Sequence, residues 1–321
     1  MYDLSIIIVT FNSSKDIIPC LDSIYLTKEN LNLEVIVVDN CSKDNTVDLV
    51  ENKYSFVKVI KNEFNVGFPH ANNQAISLVQ GQTILLLNPD TIVLENALIN
   101  LFAFFKNISN PIIAGMNVRN PDNSFQSCIR RLPTLKYIFF AIFGIDKKLF
   151  QNEFFNGFKY TNKEPVTITI VESVSGAALA FNRRAIKILE GLDTQLFYYE
   201  DTDLCKRAFI NNIPVYFLPN AWIKHFGGQS EISNKARVIF QVPYSRVGYF
   251  KKHHSTLVYL IVRILTVIEL TIRLVYRLLQ SFLTGDFCNN ERIRGYCYGL
   301  GFAVFGLKPY FLKSKSQKQN C

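Results

Sequence analysis

Leu4-Ser5-Ile6-Ile7-Ile8-Val9-Thr10 and Leu33-Glu34-Val35-Ile36-Val37-Val38-Asp39 are nearly unbroken runs of apolar, β-branched residues. Such runs fit strands buried on both faces, as in a parallel sheet. Between them, Asp16 to about Leu26 carries helical spacing, with Ile17, Ile18, Leu21, Ile24 and Tyr25 on one face. The alternation continues: Asp44–Val50 starts a second helix, Val57–Ile60 a short strand, Gly67–Leu78 a helix and Thr83–Leu87 a strand. Strands alternating with short helices predict right-handed βαβ units, hence an α/β fold with a mainly parallel sheet flanked by helices. Ligands on such sheets bind at the carboxyl ends of the strands. The three long strands end in Thr10/Asn12, Asp39 and Asn88/Asp90.

The 321 residues, 49% of them apolar, suit about two domains or one large α/β unit with an appendage. The net charge of +9 is unevenly placed: Lys251–Cys321 holds 11 Lys/Arg against 3 Asp/Glu. A nearly neutral body with a basic, apolar tail argues against nucleic acid as the main partner and favours an anionic membrane surface. The seven scattered cysteines form no C-x-x-C pair, so neither a zinc site nor a disulfide framework is expected. Leu4–Val9 is too short and has no basic flank for a signal peptide, so the expected compartment is the cytoplasm.

Between about Pro121 and Pro165 the alternation stops and aromatics crowd in, among them Phe125, Tyr137, Phe139, Phe140, Phe143, Phe150, Phe158 and Tyr160. This is either an insertion shaping an acceptor site or a satellite hydrophobic cluster. Val166–Val171 resumes strand character. From Ser255 to Leu283 the polar residues Arg263, Thr266, Glu269, Arg273, Arg277 and Gln280 form one stripe, with Leu, Ile, Val and Tyr elsewhere. Uncharged runs here fall far short of the ~20 residues that span a bilayer. An amphipathic helix lying in the membrane plane is expected, the alternative being one that packs on its own protein or a dimer partner. Lys308, Lys313, Lys315 and Lys318 make a basic tail.

The chemistry concentrates in a few places. Phe197-Tyr198-Tyr199-Glu200-Asp201-Thr202-Asp203 runs aromatics into three carboxylates, after the Gly-rich Val174–Leu179 and before His225. Half-buried carboxylates are costly unless they pair, bind metal or move protons. A catalytic base beside a sugar pocket is one reading; acidic residues complementing a helix N-terminus is the other, and is preferred for Asp203. Asp39 can accept from the imide N–H of a uracil or thymine ring, Thr10 and Asn12 can grip base or ribose, and Gly67 lets backbone approach a ligand. Arg130-Arg131 can pair with a diphosphate or belong to a solvated loop. His253-His254, behind Lys251-Lys252, suggests a basic membrane-facing edge. No G-x-G-x-x-G follows the first strand, which discounts a dinucleotide-binding dehydrogenase.

Taken together, Val9–Ser13, Val38–Thr46, Asn65–Asn73, Leu86–Thr91, Arg131–Thr134, Val174–Phe181, Glu200–Arg207 and His225–Ser230 resemble a family 2 (GT-A fold) glycosyltransferase. The rhamnosyltransferase-type branch is the most similar, and the resemblance covers roughly residues 3–230. It implies a GT-A domain over 1–235, with a nucleotide-binding half at 1–120 and an acceptor/catalytic half at 121–235. Residues 236–321 would be a helical, basic, membrane-associating region. The family's Asp-x-Asp metal motif stands here as Asn88-Pro89-Asp90, implying Mg²⁺ or Mn²⁺ held mainly by Asp90 and the diphosphate of a nucleotide-sugar donor. His225 is implied as a further ligand or diphosphate contact, a core histidine being the alternative. The catalytic base of inverting transfer maps onto Asp201, with Glu200 beside it. The resemblance further implies L-rhamnose from dTDP-rhamnose moving onto a lipid-linked glycan at the inner membrane face. Galactofuranose, glucose or an N-acetylhexosamine are alternative sugars, a non-catalytic binding protein is the alternative class, and a homo-oligomer is open.

Overall fold

The computed structural model describes residues 2–145, 154–155, 164–227, 235–284 and 291–307. Its first half follows the expected alternation: β1 (Leu4–Thr10), α1 (Ile17–Thr27), β2 (Leu33–Asp39), α2 (Thr46–Lys53), β3 (Lys58–Lys61), α3 (Phe68–Ile76), β4 (Thr83–Leu87). The chain then adds β5 (Thr91–Val93), α4 (Ala97–Lys106) and β6 (Ile113–Arg119). Every residue of β1, β4 and β6 is buried, which explains why their sequences do not alternate apolar with polar.

In the segment Pro121–Pro165, where alternation stops, lie β7 (Ile129–Arg130) and α5 (Leu135–Phe143). Thr134 caps α5 by accepting from the Tyr137 N–H, and Gly144 in the left-handed region ends it. Phe150, Phe158 and Tyr160 lie outside the described residues. Only Thr169–Ile170 (β8) of Val166–Val171 forms a strand. The Gly-rich segment turns between β9 (Ser173–Val174) and β10 (Ala178–Asn182). Then come α6 (Arg183–Leu189), α7 (Glu200–Ile210) and β11 (Val215–His225).

Among the described residues nine strands form one sheet in the order β3-β2-β1-β4-β10-β6-β11-β5, with β8 beside β11. The pairs β1–β2, β2–β3, β1–β4 and β6–β11 are parallel, while β10 inserts antiparallel between β4 and β6. The chain builds outward from β1 to β3, then returns to place β4 on the other side of β1. That reversal opens a crevice at the carboxyl ends of β1 and β4.

Three helices follow: α8 (Lys235–His253), α9 (Thr256–Thr284) and α10 (Glu291–Phe305). Two glycines let α10 approach closely: a Cβ on Gly295 would sit 2.8 Å from Ile239 Cβ on α8, and one on Gly299 2.9 Å from Leu270 Cδ1 on α9. The Arg263 guanidinium of α9 donates to the carbonyls of Ala303 and Val304, satisfying the carboxyl end of α10. No described helix is long and apolar enough to cross a membrane.

The first half of the polar stripe of α9 faces the protein, while Arg273 and Gln280 are exposed. Thr266 is fully buried, Arg246 of α8 donates to Thr266 Oγ1 at 3.0 Å and to Glu269 Oε2 at 2.6 Å, and Arg273 pairs with Glu269. The apolar faces turn outward: Ile264 is 60%, Ile272 55% and Phe282 73% exposed. The tail lysines from Lys308 onward lie outside the described residues.

Two expectations need correction. His253 does not belong to an outward basic edge: its side chain is buried and reaches Asp203 Oδ1 on α7 at 2.6 Å, and Lys252, which stays exposed like Lys251, reaches the same oxygen at 2.8 Å. Asp203 accordingly does more than complement a helix dipole. It is fully buried and also accepts from Arg207 Nε at 2.7 Å. Cys41 is disulfide-bonded, whereas Cys20, Cys128, Cys205 and Cys297 are free thiols.

Candidate active site

A cavity of about 590 Å³ opens at the carboxyl ends of β1 and β4. Its volume lies within the range of small-molecule sites. Most of the residues singled out from the sequence converge here, though not all reach its wall.

Thr10 ends β1 opposite Asp39 at the end of β2, in the register Thr10↔Asp39. Thr10 Oγ1 donates to Asp39 Oδ1 at 2.8 Å, and Ser42 donates its N–H to Oδ2 and its hydroxyl to Oδ1. Thr10 and Asn40 line the cavity; Asp39, 3% exposed, is not among the lining residues. Asn12 also lines it, in the left-handed region at φ 53°, with its side-chain oxygen accepting the Lys43 N–H. Gly67 precedes α3 at φ 88°, a conformation that favours glycine, and donates its N–H to Asn65 Oδ1. Its neighbours Asn65 and Phe68 form part of the wall.

Asn88 and Asp90 follow β4. The pairing of β11 with β5 sets His225 beside Thr91, bringing the imidazole over the Asn88-Pro89-Asp90 turn. His225 Nε2 stands 3.3 Å from both Asp90 Oδ1 and Asn88 Nδ2. On the other side of the ring, Nδ1 meets Gln126 Oε1 at 2.8 Å, while Gln126 Nε2 donates to Asn120 Oδ1. With its amide oriented this way, Gln126 accepts from an Nδ1–H, so the Nε2 lone pair faces the cavity. A lone pair and a carboxylate oxygen directed at one region suit a bound cation. Among the described residues no group of three His, Cys, Asp or Glu side chains gathers as a metal site. The residues therefore fit Mg²⁺ or Mn²⁺ that completes its coordination with phosphate oxygens and water. Nothing in the sequence around Gln126 marked it, because it acts only through a histidine 99 positions away.

The carboxylate pair opens α7. Asp201 Oδ2 accepts from the Gly176 N–H at 2.9 Å, and Oδ1 from the Thr202 N–H at 2.6 Å and hydroxyl at 3.1 Å. Arg130 Nη1 lies 3.9 Å from Oδ2. Three of about four carboxylate lone-pair positions are thus used, leaving one on Oδ2. Glu200 is different: its Oε2 is buried with no hydrogen-bond partner. Burial first, and the negative charge of Asp201 second, push its carboxyl up to about 8. Burial and the nearby Asp90 also raise Asp16, another residue of the wall. Asp203 shifts the other way. Burial alone would raise it, but His253, Arg207 and Lys252 outweigh that and hold it at about 2.

Residues 5–174 match the family described as Glycosyl transferase family 2. The chain belongs to this family. It is 34% identical over 117 residues to the poly(ribitol-phosphate) beta-glucosyltransferase of Bacillus spizizenii, covering 35% of this chain and 18% of that protein. It is 34% identical over 94 residues to the Escherichia coli UDP-Glc:alpha-D-GlcNAc-diphosphoundecaprenol beta-1,3-glucosyltransferase WfaP, covering 27% and 35%. The matches thus span well under half the length of these relatives. Among solved structures, the mannosyltransferase PcManGT from Pyrobaculum calidifontis, in complex with GDP-Man and Mn²⁺, superimposes with a TM-score of 0.56. That alignment covers 96% of this chain and 88% of the other at 14% identity, and shows a shared GT-A fold. The family's match ends at Val174, so it includes Asn88, Asp90 and Gln126 but neither carboxylate of α7 nor His225.

Proposed function

We propose that this protein is an inverting glycosyltransferase that moves a sugar from a nucleoside-diphosphate donor onto a lipid-linked glycan during cell-surface polysaccharide synthesis. One observation carries the reading: the Asn88/Asp90/His225 cluster and the Glu200–Asp201 pair line a single cavity at the sheet's switch point. Base and ribose of the donor lie against Thr10, Asn12 and Asn40, with Asp39 holding Thr10 from behind. Asp90 and His225, oriented by Gln126, hold the divalent cation. The cation, when bound, neutralises charge on the departing diphosphate.

Asp201 accepts the proton of the attacking hydroxyl through its remaining Oδ2 lone pair, within about 3 Å. The Gly176 and Thr202 donors fix that carboxylate before substrate arrives, so no reorganisation is needed during transfer. Glu200, whose carboxyl is raised to about 8 by burial, offers an O–H to the acceptor beside Asp201. The acceptor attacks as the nucleoside diphosphate leaves from the opposite face, and no covalent enzyme intermediate is needed. Residues 1–235 form the catalytic domain in this reading.

In this reading residues 236–321 associate with the inner membrane face. The support is the outward apolar surface of α9 together with the excess of basic residues beyond Lys251. Among donors, dTDP-L-rhamnose fits the motif pattern, and the names of the two curated relatives, both glucosyltransferases and one written with UDP-Glc, favour a glucose donor as the second candidate. A donor panel with Mg²⁺ or Mn²⁺ and a lipid-linked acceptor, read as release of nucleoside diphosphate, tests the proposal. Selective turnover of one donor, lost in Asp201→Asn, supports it. No turnover of any donor in folded protein supplied with membrane extract overturns it.

A further inference from the structure

Helix α8 lies beyond the family-matched residues, yet three contacts tie it to the turn that carries the carboxylates. The Phe197 N–H donates to Ser245 Oγ at 2.8 Å. His253 and Lys252 reach Asp203. The Arg237 guanidinium lies over the Phe197 ring, 5.9 Å from its centroid. Between these tethers Tyr198 adopts φ 72°, a left-handed conformation uncommon for a bulky residue and kept only where the surroundings impose it. Helix α8 thus holds the strained turn from which Glu200 and Asp201 project.

The same helix enters the cavity wall through Arg237, Val238 and Gln241. That wall already carries the carboxylates of Asp16, Asp90, Glu200 and Asp201. A diphosphate brings further negative charge, and the Arg and Lys residues of the described wall are Arg130 and Arg237 alone. A guanidinium presents its donors in a planar fork that matches phosphate oxygens. We propose that Arg237 is a substrate-contacting residue that grips a diphosphate, so the site is completed only when α8 is docked on the family-matched body. Burial holds this guanidinium below its usual range, and in such a weakly screened place an incoming anion gains more than it would at the surface. The inference rests on the nucleotide-sugar reading above and adds to it a residue from the C-terminal region. The diphosphate belongs either to the donor or to the lipid-linked acceptor, and the chemistry of recognition is shared.

The test is calorimetric titration of the full chain and of its Arg237→Gln and Arg237→Lys variants. The probes are UDP, dTDP and GDP with Mg²⁺, the matching monophosphate of whichever binds, and farnesyl diphosphate as the acceptor-side probe. Loss of a charge-assisted contact predicts about ten-fold or greater weakening in Arg237→Gln. Weakening for the nucleoside diphosphate but not the monophosphate assigns Arg237 to the donor; weakening for farnesyl diphosphate alone assigns it to the acceptor. Arg237→Lys keeps the charge and recovers part of the affinity, whereas a role limited to stacking on Phe197 fails equally in both variants and overturns the proposal. If Arg237→Gln does not fold, the Lys variant decides: affinity within two-fold of the parent, with farnesyl diphosphate and nucleoside diphosphate no weaker at raised ionic strength, overturns the assignment. Affinities unchanged in folded Arg237→Gln also overturn it while leaving the nucleotide-sugar reading intact. A parent protein that binds none of the diphosphates overturns both.

Discussion

The sheet of the body and helix α9 solve the problem of burial in opposite senses. Around β1 and β4 the apolar side chains point inward and the polar ones gather at strand ends, where Thr10, Asn88 and Asp90 meet the cavity. In the first half of α9 polar residues of the stripe are inside, with Thr266 and Glu269 bonded to Arg246, while Leu257, Ile264, Ile272 and Leu283 face out. Contiguous exposed apolar surface marks an interaction site, and this is the basis of the membrane-surface proposal above. The contrast teaches that amphipathic periodicity fixes two faces of a helix but not which of them meets the protein.

The comparison breaks most sharply at the carboxylates. Asp201→Asn is expected to keep its fold by circular dichroism and to lose about 10²- to 10⁴-fold in transfer rate, the range for a general base. Wild-type-like turnover would remove Asp201 from the mechanism. Next comes the joint between body and tail. Asp203→Ala removes the shared acceptor of Arg207, Lys252 and His253, while Lys252 keeps Asp193 and Arg207 keeps the carbonyls of Leu189 and Gly191, so unfolding in urea should show a loss of about 1–3 kcal/mol. The sign in pH follows from the depressed carboxyl: Asp203 contributes stability above the ordinary Asp range, and that contribution is lost as pH falls through about 2.

Gln126→Leu frees the His225 ring and should weaken Mn²⁺ affinity about 10- to 100-fold in a titration with nucleoside diphosphate present. Unchanged affinity would show that the imidazole needs no orienting partner. Glu200 offers a gentler effect. Because its folded carboxyl is raised to about 8, wild-type stability should decline between the ordinary Glu range and pH 8, then level off. Glu200→Gln removes that decline, so its advantage over wild type in melting temperature should grow across the same window. Smallest in stability is Ile264→Glu with Ile272→Glu on α9. These exposed positions should shift unfolding by no more than about 0.5 kcal/mol each. The same variant should nevertheless stop floating with anionic vesicles, and retained flotation would point away from α9 as the membrane face.

The legible parts of this molecule are those in which neighbouring residues share one fate. A strand buried on both faces must be apolar throughout, so Leu4–Thr10, Leu33–Asp39 and Thr83–Leu87 emerged with the bounds the structure shows. Polar residues at their carboxyl ends marked the cavity for the same reason. Pairs made across the chain left no such trace. Gln126 meets His225 because β11 returns beside β5, and His253 turns inward because Asp203 waits at zero exposure on α7. Arg237 reaches the cavity from a helix whose own periodicity shows only that it is a helix. The local sequence therefore determined the βαβ alternation, the strand-end polar residues and the two-faced character of α9. The tertiary structure decided which face of α9 is buried, which side chain orients His225 and which of the two adjacent carboxyls burial raises. Those outcomes depend on electrostatic and packing partners far away in the chain, and burial multiplies the weight of each such partner.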